Sequence, residues 1–193
     1  MYQIILASAS PRRKEIMDLM GIPYNVITGD VEEITDETNP AEMVQAIARL
    51  KATSIASSLE TKDKEYGEVI VIAADTMVFY REHTLGKPKD EADAVRMLQM
   101  LSDDEHEVYT GVSIVIKNKD GKEENISLAV GTKVYVQRLT TEQIMDYIAT
   151  GEPMDKAGAY AIQGKFGIYI KEIVGDYYNV VGFPIARIYE TLL

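Results

Sequence analysis

Apolar and polar positions succeed one another in blocks whose spacing predicts strands and helices in turn. The apolar run at residues 3–7 predicts a strand, and residues 10–20 predict a helix closed by Gly21. A second short strand is predicted at residues 24–28. From Pro40 to about Leu59 apolar residues recur at helical spacing, which predicts a longer helix.

The same alternation continues through the middle of the chain. The run VIVIAADTMVFY, residues 69–80, predicts a buried strand interrupted by one acid, and a helix is predicted at about residues 90–101. Two further runs, VYTGVSIVI and ISLAVGTKVYV, flank the turn signal Asp120-Gly121 and therefore predict a hairpin.

The last third of the chain carries a capping box and many glycines. Thr140-Thr141-Glu142-Gln143 predicts the start of a short helix that ends at Gly151. The rest predicts strands punctuated by glycine, then a final helix entered through Pro184. No repeat and no linker separates independent domains, so we expect one α/β domain over residues 1–193 with a mixed sheet.

Composition and charge exclude several classes of protein. The 193 residues include no cysteine, which rules out disulfide frameworks, thiolate zinc sites and a cysteine nucleophile. The net charge of −11 makes long nucleic acid a poor partner, because such binding depends on neutralising phosphates. No apolar stretch is long enough for a membrane span, so we expect a cytoplasmic protein with no membrane partner.

The stretch LASASPRR, residues 6–13, places cations where a helix normally favours acids. Ser10 and Pro11 predict a helix start, and Arg12, Arg13 and Lys14 then occupy its first turn, next to the positive end of the helix dipole. Free backbone N–H groups, hydroxyls and guanidiniums together favour a bound phosphate. The alternative is a surface cluster neutralised by nearby acids.

Acids elsewhere in the chain could serve a metal or a water molecule. Asp75 interrupts an apolar strand and cannot be buried cheaply without a partner, so it could bind a divalent metal or act as a general base. Alternatively, it caps a turn with Thr76. Glu32-Glu33 follows a short strand and, taken alone, is typical of solvated charge.

Three lysines and a glycine-rich segment indicate a function only when they are considered together with the acids. Lys51, Lys87 and Lys89 are each typical of surface lysines, but cations beside acids are what metal-assisted phosphoryl chemistry needs. DKAGAYAIQGKFG contains three glycines, which allow a ligand to approach the backbone or simply form strand corners. His83 and His106 are predicted in polar loops.

Together these motifs resemble the Maf family of nucleoside triphosphate pyrophosphatases. The resemblance rests on LASASPRR, AADT, LGKP and DKAGAYAIQG in this order, with NVVGFPI near the end, and covers essentially the whole chain. It implies a fold related to the inosine triphosphatases: an elongated, mixed, twisted sheet with flanking helices and two lobes around a cleft. It also implies that glycine-rich C-terminal strands face the N-terminal phosphate site across that cleft.

The resemblance further implies an activity and a set of roles. The segment AYAIQG resembles the branch that hydrolyses dTTP and UTP to the monophosphate and pyrophosphate, with removal of non-standard pyrimidine nucleotides as a further use. Asp75 would be the proton acceptor, and Mg²⁺ or Mn²⁺ would be held by Glu33 and Asp75. Lys51 and Lys87 would be the catalytic cations. The residues for substrate binding and specificity would be Ser8, Ser10, Arg12, Arg13, Thr76 and Gln163.

Two departures and two alternatives accompany this interpretation. Ala74 and Asp103 stand where many relatives have glycine, and we expect the first to tighten packing near Asp75 and the second to affect only a loop. The resemblance implies a homodimer. A nucleotide-binding regulator of septum formation, acting through a cell-division partner, is the alternative from another functional class. Removal of purine triphosphates, as in the inosine triphosphatases, is the second alternative.

Overall fold

The computed structural model describes residues 2–59 and 68–192, and this part of the chain forms seven strands and six α-helices. The strands are β1 (Tyr2–Leu6), β2 (Asn25–Val26), β3 (Glu68–Tyr80), β4 (His83–Leu85), β5 (Glu105–Asn118), β6 (Glu123–Val136) and β7 (Ile170–Val174). The α-helices are α1 (Pro11–Asp18), α2 (Pro40–Ser58), α3 (Glu91–Leu101), α4 (Thr141–Ile148), α5 (Tyr177–Val181) and α6 (Ile185–Leu192).

The strands form one mixed sheet in the order β2-β1-β3-β5-β6-β7, with β4 paired to β3. β1 runs parallel to both of its neighbours, and Ile5 is paired with Asn25 on one side and Val71 on the other. β4 is antiparallel to β3, and β7 is antiparallel to β6. The expected α/β fold with a mixed sheet and flanking helices is therefore confirmed.

The chain divides into two compact units, and β3, β5 and β6 contribute residues to both. The first unit comprises Met1–Asp75, Thr110–Val130 and Gly182–Leu193. The second comprises Thr76–Tyr109 and Gly131–Val181. The predicted cleft between two lobes stays a prediction.

The core of the first unit forms where α2 packs on the parallel strands. Residues 71–74 of β3 are fully buried, as expected for a parallel strand covered on both faces. Ala52 and Ile55 of α2 pack with Ile5 in this cluster. Gly111 of β5 allows the helix to come close, because a Cβ there would lie 2.3 Å from the backbone of Val44.

The core of the second unit lies around α3, α4 and Phe166. Leu98 and Leu101 of α3 are fully buried in this cluster, together with Phe166. The predicted capping box of α4 is confirmed: the Thr140 hydroxyl accepts the Gln143 N–H, and the Gln143 side chain accepts the Thr140 N–H.

The glycine-rich part of the second unit corrects one prediction. Instead of strands it forms three short 3₁₀-helices, Glu152–Asp155, Ala157–Ala159 and Lys165–Tyr169, before β7. Gly158 and Ala159 have φ values of 68° and 60°, in the left-handed region, so this backbone cannot continue as an extended strand. The expectation that glycine-rich strands face the phosphate site is wrong in this respect.

Both histidines also lie elsewhere than predicted. His83 begins β4, where it is exposed, and His106 lies in β5, where it is buried. The polar residues on either side of His106 concealed the strand. Asp103 does lie in a turn, and its φ of 62° explains why glycine suits that position.

The polar stretch ETKDKEYGE, residues 60–68, predicts a loop, and its residues 60–67 lie outside the described residues. Among the described residues, no helix combines the length and the apolar character that crossing a membrane requires.

Candidate active site

A lysine and two carboxylates meet in the first unit. Lys51 lies on α2 between Ile47 and Ile55, one turn away on either side, so its stem emerges from the face of the helix that packs on the sheet. Its Nζ lies 2.7 Å from Oδ1 of Asp75 and 2.8 Å from Oε1 of Glu33. The ammonium therefore neutralises two acids that are distant in the sequence.

Asp75 is the most deeply buried member of this group, with only 6% of its surface exposed. It is the last residue of the first unit on β3, immediately after the fully buried Ala74. Lys51 donates to Oδ1, whereas Oδ2 is buried and accepts no hydrogen bond from the described residues. A buried carboxylate oxygen without a donor is costly, so this atom is a candidate for contact with water or a ligand.

The N-terminus of α1 forms the second group of the first unit. Ser10 is the N-cap residue and Pro11 opens the helix, as predicted, but the Ser10 hydroxyl makes no capping hydrogen bond. Instead, Oγ of Ser8 accepts the Ser10 N–H at 3.2 Å and Nη1 of Arg13 at 3.4 Å. No acid lies in the first turn of the helix, so the positive end of its dipole is left without a negative side chain there.

Arg13 is held by the backbone as well as by Ser8. Its Nε donates to the carbonyl oxygen of Gly182 at 2.9 Å. Burial lowers the pKa of Arg13. The nearby carboxylates Asp75 and Glu33 oppose that change, whereas the neighbouring Arg12 adds to it. The two groups of the first unit are thus close enough to interact electrostatically, and together they could bind an anion beside an unsatisfied carboxylate oxygen.

Gly182 is the one member of this arrangement that the sequence did not indicate. It belongs to NVVGFPI, a motif that supports the family resemblance but had no assigned role. The contact with Arg13 uses a main-chain carbonyl, which leaves no side-chain signal in a sequence. Its φ of 113° accounts for a glycine at this position. The glycine itself is the sequence feature that could have drawn attention to this contact.

The remaining predicted residues belong to the second unit. Thr76 follows Asp75 on β3 and is half-buried, and Lys87 is exposed between β4 and α3. Gln163 is exposed in the turn that precedes the last 3₁₀-helix. Lys87 and Gln163 have side chains accessible to a ligand, and the roles of all three residues stay predictions.

His106 forms a buried pair with Tyr160 in the second unit. Its Nε2 lies 2.7 Å from the Tyr160 hydroxyl, and its Nδ1 is buried with no partner among the described residues. Burial lowers the pKa of His106 to about 4, opposed by Asp104, and burial raises the pKa of Tyr160. Both rings are therefore neutral at neutral pH.

Glu33 and Asp75 are the residues of this site that could hold a metal. In the described part of the chain, no three or more His, Cys, Asp or Glu side chains come together as metal ligands. The two carboxylates do converge on one position, that of the Lys51 ammonium. Two carboxylates are a typical protein contribution to Mg²⁺ when substrate phosphates and water supply the other oxygens.

The comparisons with known proteins agree with the motifs. A family model described as "Maf-like protein" matches residues 3–193. The dTTP/UTP pyrophosphatase of Lachnoclostridium phytofermentans is 51% identical over 98% of this chain and 93% of its own length. That of Agathobacter rectalis is 48% identical over 100% of this chain and 97% of its own. Among solved structures, a HAM1 protein from Coxiella burnetii matches with a TM-score of 0.49 and 14% identity, over 100% of this chain and 98% of that one.

Proposed function

The chain belongs to the family of Maf-like proteins, and we propose that it is a pyrophosphatase that hydrolyses dTTP and UTP to the nucleoside monophosphate and pyrophosphate. The names of relatives that are 48–51% identical over nearly the whole chain support both the reaction and the pyrimidine substrates. The bond that breaks is the anhydride between the α- and β-phosphates.

The observation that carries this proposal is the unequal environment of the two Asp75 oxygens. Lys51 fixes the carboxylate through Oδ1 and leaves Oδ2 buried without a donor. A water molecule beside Oδ2 would satisfy that oxygen and would give up its proton to it as the water attacks phosphorus. Asp75 is therefore the proposed general base, and Lys51 is the residue that orients it.

The cations of the first unit would bind the triphosphate. The start of α1 offers backbone N–H groups, and Arg12 and Arg13 lie in its first turn. Arg13 has its Nε and Nη1 engaged by Gly182 and Ser8, which restricts the guanidinium to one orientation. Charge that develops on the phosphates would thus meet cations that are already in place, and Lys87 of the second unit is proposed to add to them.

A divalent cation, Mg²⁺ or Mn²⁺, fits the donors that the site provides. Glu33 and Asp75 offer only carboxylate oxygens, the ligand type that these metals prefer. When bound, the metal would offset the negative charge of the triphosphate. Lys51 contacts the same two carboxylates, so its ammonium balances their charge in the structure described here.

Gln163 is proposed to select the base. Uracil and thymine present N3–H as a donor beside the O4 acceptor, and one side-chain amide can accept from the first and donate to the second. Cytosine presents the opposite pattern at these positions. An amide held in one orientation would reject CTP, because each mismatched buried contact costs roughly 1–3 kcal/mol. The thymine methyl changes no hydrogen bond, so both dTTP and UTP should be accepted.

The test is turnover of a nucleotide panel with each divalent metal, with products identified directly. We expect UMP and pyrophosphate from UTP, dTMP and pyrophosphate from dTTP, and little product from CTP or purine triphosphates. Direct release of orthophosphate and a nucleoside diphosphate would refute the reaction. Tight binding of dTTP without turnover under any metal would favour the regulator of septum formation instead.

The expected location rests on the hydropathy pattern of the sequence, and the expected assembly rests on the family resemblance. A cytoplasmic site of action, a homodimer and a partner in cell division stay predictions, and none of them is needed for the chemistry proposed above.

A further inference from the structure

The turn that carries Gln163 is hydrogen-bonded at both of its ends to the same pair of side chains. At the start of the turn the Ala161 N–H donates to Oη of Tyr147 at 3.3 Å. At its end the Lys165 N–H donates to Oε2 of Glu152 at 3.1 Å. The Tyr147 hydroxyl in turn donates to Oε1 of Glu152 at 2.8 Å, which closes the chain of hydrogen bonds.

The Glu152 carboxylate also lies directly against the backbone of this turn. A Cβ on Gly164 would lie 2.1 Å from Oε1 and 2.7 Å from Oε2 of Glu152, closer than real Cβ contacts come. Only glycine can occupy that position while the carboxylate keeps both of its hydrogen bonds. Gly164, the glycine of the motif AIQG, therefore makes room for the Glu152 carboxylate beside the turn.

Tyr147 is itself held rigidly. It is 3% exposed, and its ring packs at a tilt on Phe166 with the ring centroids 5.1 Å apart. It lies near the end of α4, the helix that begins with the capping box. Burial and the neighbouring Glu152 raise the pKa of Tyr147, so its hydroxyl stays protonated and continues to donate at any pH at which the enzyme would work.

We propose that Tyr147 and Glu152 are positioning residues that hold the Gln163 turn in one conformation and so determine pyrimidine selectivity. The inference rests on the proposed function, in which Gln163 reads the base. An exposed amide on a mobile turn could rotate or shift to suit uracil or cytosine, and would discriminate poorly between them. An amide on a turn fixed at residues 161 and 165 presents its donor and acceptor in set places.

Two substitutions interrupt this chain of hydrogen bonds while keeping the size of the side chain. Tyr147→Phe deletes the hydroxyl that serves Ala161 and Glu152. Glu152→Gln replaces one of the two acceptor oxygens with an NH₂ group, so the amide cannot accept from both Tyr147 and Lys165. Tyr80→Phe is the matched control, because it deletes a tyrosine-to-carboxylate hydrogen bond of the same 2.8 Å length, to Asp104, elsewhere in the second unit.

The measurement is the ratio of kcat/KM for UTP to that for CTP, with thermal unfolding recorded in parallel. We expect this ratio to fall about tenfold in Tyr147→Phe and in Glu152→Gln, the size of one lost hydrogen-bond discrimination, and to stay unchanged in Tyr80→Phe. Amide hydrogen exchange at Ala161 and Lys165 should become faster in the first two variants. A general loss of stability would lower both rates together and leave the ratio unchanged.

A second measurement shows whether the pair acts through Gln163. In a Gln163→Ala background, adding Glu152→Gln should change the UTP/CTP ratio no further, because the group it positions is gone. An equally large further fall would overturn the inference. So would an unchanged ratio in Tyr147→Phe and Glu152→Gln when the unmutated enzyme prefers UTP. Absence of any UTP turnover by the unmutated enzyme would overturn the proposed function, and this inference with it.

Discussion

In the first unit Asp75 is buried against the ammonium of Lys51, whereas in the second unit the buried polar side chains His106 and Tyr160 pair as neutral groups. The first arrangement leaves a carboxylate oxygen without a donor among the described residues. The second unit also carries the turn on which Gln163 is exposed. We propose a division of labour in which the first unit supplies the general base and most of the cations, and the second supplies Lys87 and the turn whose Gln163 selects the base.

The largest effect that the comparison predicts is on Asp75. Asp75→Asn keeps the size of the side chain but removes the proton acceptor, so kcat for UTP should fall by about 10²–10⁴, the usual contribution of a general base. Cooperative unfolding should persist. Steady-state kinetics and thermal unfolding measure both. Asp104→Asn, which alters a carboxylate of the second unit, should leave kcat within about twofold, and a comparable loss there would end the distinction between the units.

Removing the cation should instead destabilise the first unit. Lys51→Met leaves the Asp75 carboxylate buried without a counter-charge, which should lower the free energy of unfolding by about 3 kcal/mol. Denaturant unfolding measures the change. Adding Asp75→Asn should restore part of the loss, because the uncompensated charge is then absent. A cost below about 0.5 kcal/mol, typical of an exposed lysine, would show that the ion pair contributes nothing.

Acid should act on the second unit through His106. Burial lowers the pKa of His106 to about 4, opposed by Asp104, while an unfolded chain would have a histidine pKa near 6.5. The stabilising contribution is complete above pH 6.5 and is lost as pH falls toward 4, because only the unfolded state binds the proton in that window. At pH 4.5 the loss should be about 2.5 kcal/mol.

His106→Gln isolates this effect, since it removes the titrating ring and keeps a hydrogen-bonding group for Tyr160. Unfolding free energies of the two proteins, measured from pH 7 to pH 4.5, should show the steeper decline in the unmutated protein. Parallel curves would mean that His106 is already accessible to protons in the folded state.

The smallest predicted effect concerns Gln163. Gln163→Glu loses the donor for O4 of uracil, so kcat/KM for UTP should fall about tenfold, the cost of one mismatched hydrogen bond. The residue is exposed, so the unfolding midpoint should hardly change. Assays with UTP and CTP, alongside thermal unfolding, distinguish this from the alternative in which the amide only supports its own turn.

Sequence patterns predicted the first unit better than the second. β1 and β3 contain continuous apolar runs, and α1 and α2 have clear start signals: Pro11 opens α1, and the Asn39 side chain accepts the Ala41 N–H at the start of α2. The pattern therefore fixed their type and order. The grouping of Glu33 and Lys51 with Asp75 was suggested by the family resemblance, because no spacing rule relates residues so far apart.

The second unit was harder to predict because its backbone is irregular. Glycine spacing does not distinguish a strand corner from a tight turn in which residues such as Gly158 and Ala159 have left-handed φ values. His106 lies between two glutamates, which concealed its burial. The contacts of Tyr147 and Glu152 involve main-chain amides of a turn that could not be foreseen.

The division of labour between the units is tested most directly by measuring kcat/KM for UTP and for CTP in Asp75→Asn and Gln163→Glu, beside the unmutated enzyme. Asp75→Asn should lower both values by the same factor and leave their ratio unchanged, because the attacking water is common to every nucleotide. Gln163→Glu should change the ratio itself. A shift of the ratio in Asp75→Asn as large as that in Gln163→Glu would contradict the account.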